Sequence, residues 1–351
     1  MRTILFCGLK YEYGNPNAGL SFEYQNFYST LESMPEIRVE CFAMDEHVHR
    51  LGREDANEAL LARVRELQPD LVFFVPFENE LLPQMLTRVT AQTKTLAWFC
   101  DDHWRFPMYS QYYAPHFTAV ATTDSQAVAR YTARGITVLK TQWAANPALY
   151  KPTVSQPADA VRVAFVGQRS GRRGVYIEAL MHAGLPVVVH GAGWPLGRLS
   201  FEQMVESFSN TDVHLNFSGS PYHTAYRQLR LFARLLLAPD GRTYEWHRPT
   251  VVDALQSVWG SRRNQIKGRT FEIPACGSML LTNAADNLEE YFMPGKEIAV
   301  FENVDDLVEK CQYFLTHPEE RLAIARAGYE RVLREHTYSH RFTQLFTQLG
   351  L

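Results

Sequence analysis

The chain has 351 residues, of which 46% are hydrophobic and 21% are charged, and its formal net charge is −3. This length fits two domains of roughly 150 residues each better than one core, and the composition predicts a globular protein. The weak negative charge excludes a general nucleic-acid binder, because that role needs a broad excess of Lys and Arg to neutralise phosphates.

The cysteines and the apolar runs indicate the compartment. The five cysteines are scattered without a C-x-x-C pair, so the sequence predicts neither a zinc site nor a disulfide framework. The first apolar run, residues 3–9, is too short for a signal peptide, and no run reaches the ~18 apolar residues of a membrane span. We therefore expect a cytoplasmic protein in a reducing environment.

The first half of the chain alternates predicted strands and helices. Apolar runs such as LVFFV at 71–75 are continuous, which is typical of parallel strands covered by helices on both faces. Strands are predicted over 3–8, 38–43, 70–75, 95–100 and 118–123, and helices over 21–34, 55–67, 80–91 and 125–134. The pattern predicts a doubly wound parallel sheet.

A stretch with two prolines, residues 151–159, interrupts this pattern and is the predicted linker. Strands are then predicted over 161–166, 186–190, 213–217 and 279–282, with helices over 173–183 and 201–207 and two closing helices. The predicted fold class is α/β, with two Rossmann-like doubly wound domains that face an interdomain cleft. The domains are predicted to span 1–152 and 160–336.

The loop after the first strand of the second domain is rich in glycine and arginine. It reads VGQRSGRRG at 166–174 and contains Gly167, Arg169, Arg172 and Arg173. Glycine amides, a helix N-terminus and arginine side chains all suit a phosphate, although an exposed basic turn is the alternative. Its G-x-x-x-G-x-x-G spacing differs from the dinucleotide fingerprint G-x-G-x-x-G, which disfavours NAD.

Two further strand ends carry weaker signals. The sequence HGAGWPLG at 190–197 would let a base or ribose approach the backbone, although such turns are common. Asn216 either forms hydrogen bonds across the cleft or caps a turn. In the first domain, the sequence WFCDDHWRF at 98–106 contains Asp101, Asp102 and His103 at a strand end. One of these residues could orient or deprotonate an acceptor hydroxyl, or an aspartate could cap the next turn while His103 packs beside Trp104.

Glu272 lies in the segment GRTFEIPACGSMLLTN at 268–283, after the basic residues Lys267 and Arg269. We predict a short helix that has Pro274 in its first turn and ends before Gly277. Glu272 would then lie near the helix N-terminus, where it complements the helix dipole or pairs with Arg269.

These segments resemble the CgeB-like, spore-maturation type of glycosyltransferase, which is related to glycosyltransferase family 4 of the GT-B fold. The resemblance rests on 268–283 and 290–341, and in the first half on 13–27, 98–106 and 142–152. It implies a hexosyltransferase-like enzyme of glycan biosynthesis that transfers a sugar from a nucleotide-sugar donor, a UDP-sugar above others, to a hydroxyl acceptor. It also implies that residues from about 337 to 351 pack back on the first domain.

The resemblance assigns Glu272 to the donor ribose, as the second glutamate of an E-x7-E pattern whose first position is Asn264 here. The family's phosphate-binding Arg and Lys fall on Gln168 and Arg173, with Arg169 or Arg172 as a substitute for the first. Lys267 and Arg269 complete the predicted donor set. His103 is similar to a histidine that contacts the donor sugar. The resemblance also implies retention of anomeric configuration, no metal and no bound cofactor, because cations and dipoles can stabilise the leaving diphosphate.

An insertion at about 221–263 in the second domain is longer than in these relatives. Residues 221–271 carry nine Lys or Arg against three Asp or Glu, and Arg227, Arg230 and Arg234 have helical spacing. Either this is a solvated face, or it contacts an anionic acceptor or the inner membrane surface. His47 and His49 are interpreted as loop residues, because no third metal ligand lies at a useful spacing.

The sequence thus predicts a cytoplasmic GT-B glycosyltransferase that binds a nucleotide-sugar donor in the second domain and a hydroxyl acceptor beside the first. Two alternatives stay open. A degenerate binding or structural protein of the same fold would explain Asn264 and Gln168. A nicotinamide oxidoreductase would share the strand pattern but lacks the glycine fingerprint.

Overall fold

The computed structural model describes residues 1–153, 161–219 and 249–351, and these form two compact units. The first unit contains residues 1–142, 249–260 and 338–351 of the described chain, and the second contains 143–153, 161–219 and 261–337. Arg227, Arg230 and Arg234 lie outside the described residues. No helix in the described ranges is both long and apolar enough to cross a membrane.

The first unit is built on a parallel sheet with strand order β2-β1-β3-β4-β5-β6. Its strands are β1 Arg2–Gly8, β2 Ile37–Ala43, β3 Leu71–Phe74, β4 Lys94–Phe99, β5 Ala119–Thr122 and β6 Val138–Lys140. All four residues of β3 are buried, which explains the continuous apolar run there. The edge strand β6 was not predicted, because three residues are too few to show a period.

Helices connect and flank these strands. They span Ser29–Ser33, Met44–Leu51, Arg53–Leu67, Pro83–Thr90, Asp102–Arg105, Gln111–Tyr113, Ser125–Thr132, Val251–Gly260 and Tyr338–Gln348. The C-terminal helix buries Phe342, whose ring centroid lies 5.6 Å from that of Phe27 and 5.6 Å from that of Phe73. Hydrophobic burial therefore holds this helix on the first unit.

The interpretation of His47 and His49 as loop residues is wrong. Both lie in the helix Met44–Leu51, which has Asp45 and Glu46 in its first turn, where carboxylates complement the helix dipole. Asp45 also accepts hydrogen bonds from the backbone amides of Lys10 (3.0 Å) and Tyr11 (2.9 Å). These contacts are distant in sequence, so the local pattern does not show them.

The second unit has a parallel sheet with strand order β11-β10-β9-β7-β8. Its strands are β7 Val161–Val166, β8 Val187–His190, β9 Thr211–Asn216, β10 Met279–Asn283 and β11 Ala299–Phe301. Its helices are Arg173–His182, Phe201–Ser209, Arg269–Ala275, Val304–Thr316 and Pro318–Glu335. Leu215 of β9 pairs with Phe165 of β7 and Leu281 of β10, so the carboxyl ends of these three strands lie at one edge.

The segment that leaves the first unit is anchored in the second. The Ala145 amide donates to the His336 carbonyl oxygen (3.0 Å), and Tyr150 is buried in a core that also contains Phe271 and Val332. Residues 143–153 therefore belong to the second unit. The chain thus passes from the first unit to the second before it reaches the linker predicted at 151–159.

Candidate functional site

The loops that follow β7 and β8 pack closely against each other. The Gly167 amide donates to the His190 carbonyl oxygen, and the indole N–H of Trp194 donates to the Gly167 carbonyl oxygen, each at 2.8 Å. Gly191 has φ 133°, and a Cβ at this position would overlap the Gly167 carbonyl oxygen. The two loops therefore form one fixed rim, which requires glycine at 191.

Arg172 and Arg173 lie at the start of the helix Arg173–His182, beside this rim. Nη1 of Arg173 donates to the Gln168 carbonyl oxygen (3.1 Å) and its Nη2 donates to the Phe217 carbonyl oxygen (3.2 Å). Arg172 is exposed, and its guanidinium lies 5.9 Å from the centre of the Tyr176 ring. The structure thus fixes one arginine by two hydrogen bonds and leaves the other at the surface.

A cavity of about 320 Å³ lies at the carboxyl ends of β7, β9 and β10. Among the described residues, its lining includes three arginines and no carboxylate. The lining residues are Ser170, Arg172, Arg173, Tyr176, Phe217, Gly219, Arg262, Asn264 and Asn283. Such a lining attracts an anion, since guanidinium groups match phosphate oxygens.

Sequence reasoning missed Arg262 as a member of this group. It stands in the pair Arg262 and Arg263, just before Asn264, in a stretch interpreted only as part of a basic insertion. The signal that could have found it was its position two residues before the E-x7-E site. Asn264 does line the cavity, and its Nδ2 donates to the Ala284 carbonyl oxygen (2.9 Å).

Two of the predicted donor residues have other partners. Nη2 of Arg169 forms an ion pair with Oε1 of Glu178 (2.9 Å), and its guanidinium lies 5.1 Å from the Trp194 ring centre. Nδ2 of the buried Asn216 donates to the hydroxyls of Thr270 (3.3 Å) and Thr282 (3.1 Å). Neither side chain is among the residues that line the cavity.

Glu272 lies in the first turn of the helix Arg269–Ala275, as predicted, and is only 3% exposed. Burial raises the pKa of its carboxyl group to about 7, against the charge of Arg269 and a hydrogen bond with Tyr150. Its Oε1 atom has no hydrogen-bond partner among the described residues. The prediction that Pro274 stands in the first turn is wrong, because the helix already begins at Arg269.

The structure does not bring Lys267, Arg269 or Glu272 to the lining of the cavity. Nη2 of Arg269 lies 4.0 Å from Sδ of Met204 in the helix Phe201–Ser209. The carbonyl oxygen of Lys267 accepts a hydrogen bond from the Thr270 amide (2.9 Å) as the helix begins. These three residues form a second group, near the helix N-terminus rather than at the strand ends.

In the first unit, Asp102 is enclosed. Its Oδ2 accepts hydrogen bonds from the hydroxyls of Thr122 (2.6 Å) and Tyr131 (2.9 Å), and burial raises the pKa of its carboxyl group to about 7. His103 is 3% exposed, and its Nδ1 lies 3.9 Å from Oδ1 of Asp101. Asp102 is fully buried, whereas the Asp101 side chain is 39% exposed.

Glu23 is a titratable group of this region that sequence reasoning missed. It lies close to the carboxyl end of β4, where Sγ of Cys100 donates to its Oε1 (3.8 Å). Burial raises the pKa of Glu23 to about 7, and the nearby carboxylates of Glu12 and Asp101 add to the shift. No group of three or more His, Cys, Asp or Glu side chains within the described ranges could hold a metal ion.

The sequence matches a family model and one curated relative. The model of the family described as glycosyl transferase-like matches residues 172–347, about half of the chain. The spore protein CgeB of Bacillus subtilis (strain 168) is 30% identical over 94 residues, which are 26% of this chain and 27% of CgeB. The match thus spans about a quarter of the length of that relative.

Solved structures resemble the chain over its whole length. Sucrose-phosphate synthase from Thermosynechococcus elongatus has a TM-score of 0.61 at 14% identity, over 100% of this chain and 99% of that one. Anabaena Alr3699/HepE in complex with UDP has a TM-score of 0.62 at 11% identity, over 99% of both chains. The HepE complex with UDP-glucose gives 0.60 at 11% identity, over 100% of both.

Two Rossmann-like parallel-sheet units, together with these likenesses, define an α/β protein of the GT-B fold. The chain belongs to the glycosyl transferase-like family. The predicted fold class and the predicted resemblance to CgeB-like glycosyltransferases are both confirmed.

Proposed function

We propose that the protein transfers a sugar from a nucleoside-diphosphate donor to a hydroxyl acceptor. The observation that carries this proposal is the cavity at the ends of β7, β9 and β10, which is lined by Arg172, Arg173 and Arg262 and by no described carboxylate. Parallel sheets hold their ligands at this edge, and paired guanidinium groups bind diphosphates well. The family match begins at Arg172, so it includes all three arginines.

The donor in this proposal is a UDP-sugar. HepE, whose fold is similar, was solved with UDP and with UDP-glucose. In this chain the diphosphate would lie against the three arginines and the N-terminus of the helix Arg173–His182, whose dipole favours an anion. Asn264 and Asn283 would offer amide groups to sugar hydroxyls.

The proposed chemistry depends on charge stabilisation of the leaving diphosphate. Arg173 is already held by the carbonyl oxygens of Gln168 and Phe217, so it needs no rearrangement as negative charge develops. We propose that arginines supply this stabilisation without a metal or a bound cofactor, and that the anomeric configuration is retained. For the acceptor hydroxyl, we propose Asp101, with His103 beside it, in place of the enclosed Asp102.

Glu272 keeps its proposed role at the donor ribose. The support is its position in the first turn of the helix and its Oε1 atom, which lacks a partner among the described residues. A buried acceptor of this kind is costly unless a ligand hydroxyl or water satisfies it. Tyr150 would hold the carboxyl group in place.

The first experiment is a thermal-shift panel of UDP, GDP, ADP, CMP and dTDP with EDTA present. We expect UDP at 100 times its Kd to add about 2.7 kcal/mol to the stability of the wild type. Arg173→Ala removes charge-assisted hydrogen bonds, so we expect it to weaken UDP binding roughly 10- to 100-fold. Arg326→Ala is the matched control, because the Arg326 side chain is 82% exposed in the same unit and forms an ion pair with Glu330 at the surface.

The panel distinguishes the two groups of residues. If Arg173→Ala weakens UDP binding and Glu272→Gln does not, the cavity holds the diphosphate and Glu272 is structural. If no nucleotide stabilises the wild type, the donor site is not where we propose it.

A catalytically degenerate binding protein is the second candidate, and Asn264 favours it. An amide lines the cavity at the position where the resemblance to family 4 predicts a carboxylate. Release of glucose from UDP-glucose separates the candidates, because a degenerate protein would bind UDP without releasing sugar.

A further inference from the structure

Another cavity lies in the first unit, at the carboxyl ends of β1 and β2. Its volume is about 430 Å³, which falls in the ~300–1,000 Å³ range of small-molecule sites. One wall is the loop that follows β1, with Tyr11 and Gly14, and the other is the helix Met44–Leu51, which follows β2. None of the residues proposed for the nucleotide lines this cavity, so its ligand must be a different one.

The loop wall is held in place by hydrogen bonds. Tyr11 pairs with Leu20 in an isolated antiparallel bridge, which closes the loop on itself. Asp45 joins the loop to the helix, because its Oδ1 and Oδ2 accept hydrogen bonds from the backbone amides of Lys10 (3.0 Å) and Tyr11 (2.9 Å). The two walls therefore keep their spacing, and a ligand meets a preformed cavity at a small cost in conformational entropy.

The helix wall offers oriented hydrogen-bond acceptors. A carboxylate has about four lone-pair sites, so each oxygen of Asp45 can accept one more hydrogen bond beside that from the backbone. Nδ1 of His47 donates to the Ala43 carbonyl oxygen (2.8 Å), which leaves Nε2 of the neutral ring as an acceptor. Glu46 is already paired, because its Oε1 lies 2.9 Å from Nζ of Lys10.

The same helix wall also offers donors. His49 and Arg50 are exposed, line the cavity, and form no hydrogen bond or ion pair with the residues that the structure describes. A guanidinium group has five N–H donors, and a neutral imidazole ring has one donor and one acceptor. The cavity thus combines acceptors that the fold orients with donors that are available to a ligand.

This combination selects among ligand chemistries. A phosphate or carboxylate ligand offers only acceptors and would meet the negative charges of Asp45 and Glu46. An ammonium ligand offers only donors and would meet the positive charge of Arg50. A hydroxyl group both donates and accepts, so a compound with many hydroxyls satisfies both parts of the lining. Tyr11 adds apolar surface for ring carbons.

We propose that this cavity binds a saccharide through one or two of its sugar rings. Asp45 and His47 would accept hydrogen bonds from sugar hydroxyls, and His49 and Arg50 would donate to them. The inference also names the class of the acceptor, because the bound saccharide would be the substrate that receives the sugar. This last assignment rests on the proposed function, whereas the saccharide site rests on the cavity alone.

The test measures binding of the purified full chain to an array of immobilised, defined oligosaccharides that are neutral, anionic or amino-substituted. We expect binding to neutral members, with a Kd then measured by calorimetry using the same oligosaccharide free in solution. His49→Ala and Arg50→Ala each remove a donor, and the double variant H49A/R50A should raise this Kd at least tenfold. Both residues are exposed, so the melting temperature without ligand should stay unchanged.

The matched control is Arg65→Ala, which removes the same charge as Arg50→Ala. Arg65 is also exposed, but it stands on the neighbouring helix Arg53–Leu67 and does not line the cavity. Its variant should bind the saccharide like the wild type. Absence of wild-type binding to any array member, a preference for anionic or amino-substituted members, or an unchanged Kd in H49A/R50A would overturn the proposal.

Thermal shifts with UDP separate this inference from the proposed function. They should be equal in the wild type, H49A/R50A and Arg65→Ala, because the proposed donor residues lie in the second unit. A protein that is stabilised by UDP but binds no saccharide would overturn the saccharide site and leave the proposed donor site standing. A protein that binds a neutral saccharide but no nucleotide would support the saccharide site and contradict the proposed sugar transfer.

Discussion

Glu272 is placed where its protonated form is favoured. Burial raises the pKa of its carboxyl group from 4.5 to about 7. The folded chain therefore binds more protons than the unfolded chain between these two values. Since stability falls with pH wherever the folded state binds more protons, this group's contribution declines from about pH 4.5 to 7.

Glu272→Gln should raise stability at high pH in the absence of ligand. The amide is neutral at every pH and can still bond with Tyr150, so the cost of burying a charge is removed. We expect little difference from the wild type at pH 5 and a gain of up to about 3 kcal/mol at pH 8, measured by urea unfolding. Glu289→Gln, at an exposed residue, should show no such trend. Equal stability of Glu272→Gln and wild type at pH 8 would contradict the argument.

Single residues also show the limit of prediction from sequence. Arg173 could be predicted, because a helix start after a glycine-rich loop fixes its position. Arg169 could not be excluded, because its partner Glu178 and the Trp194 ring lie 9 and 25 residues further on. Likewise, the hydrogen bond between Glu272 and Tyr150 joins residues that are distant in the sequence.

Among the elements, the helix Val251–Gly260 depends on its last residue. Because Gly260 lies against the His103 backbone, a methyl group there must displace main-chain atoms. Gly260→Ala should therefore destabilise the protein by roughly 1–3 kcal/mol, measured as a lower urea midpoint.

Gly174→Ala is the comparison for this substitution. Its added Cβ would have no atom closer than 3.6 Å, and Gly174 lies in the helix Arg173–His182. This change should be neutral or add up to ~1 kcal/mol, because alanine favours helix. Equal midpoints for the two variants would show that the helix Val251–Gly260 packs more loosely than described.

The sequence predicted the long buried strands well, but it did not predict where the short elements lie in the fold. Buried parallel strands such as β3 carry a continuous apolar run, which is a local signal. The helix Val251–Gly260 packs through small residues onto a segment about 150 positions earlier, and such contacts leave no period to detect.

Across the whole molecule, buried carboxyl groups dominate the expected pH dependence. Glu23 and Asp102 in the first unit and Glu272 in the second all have a pKa raised to about 7. His214 acts in the opposite sense, because burial lowers its pKa to about 3 and its contribution rises with pH up to about 6.5. Burial also raises the pKa of Glu80 and lowers that of His116. Four buried carboxyl groups thus oppose two histidines among the described residues, so stability should fall between pH 5 and 7.

Asp102→Asn and Glu272→Gln should each flatten this decline, and their effects should add. The two residues belong to different units, and Asp102 bonds with Thr122 and Tyr131 whereas Glu272 interacts with Arg269 and Tyr150, so additivity within about 0.5 kcal/mol is expected. Unfolding free energies of both single variants and the double variant, measured at pH 5 and pH 8, check this. A coupling larger than 1 kcal/mol would mean that the two sites communicate.

The fixed rim formed by the loops after β7 and β8 has a thermodynamic consequence. Backbone bonds from Gly167 to His190 and from Arg169 to Ala192 continue the pairing of β7 and β8 beyond the strand ends. Amide protons of this rim should exchange with solvent as slowly as those of a core strand, unlike those of most binding loops. A ligand that settles against it meets a backbone that is already ordered, so little conformational entropy is lost on binding.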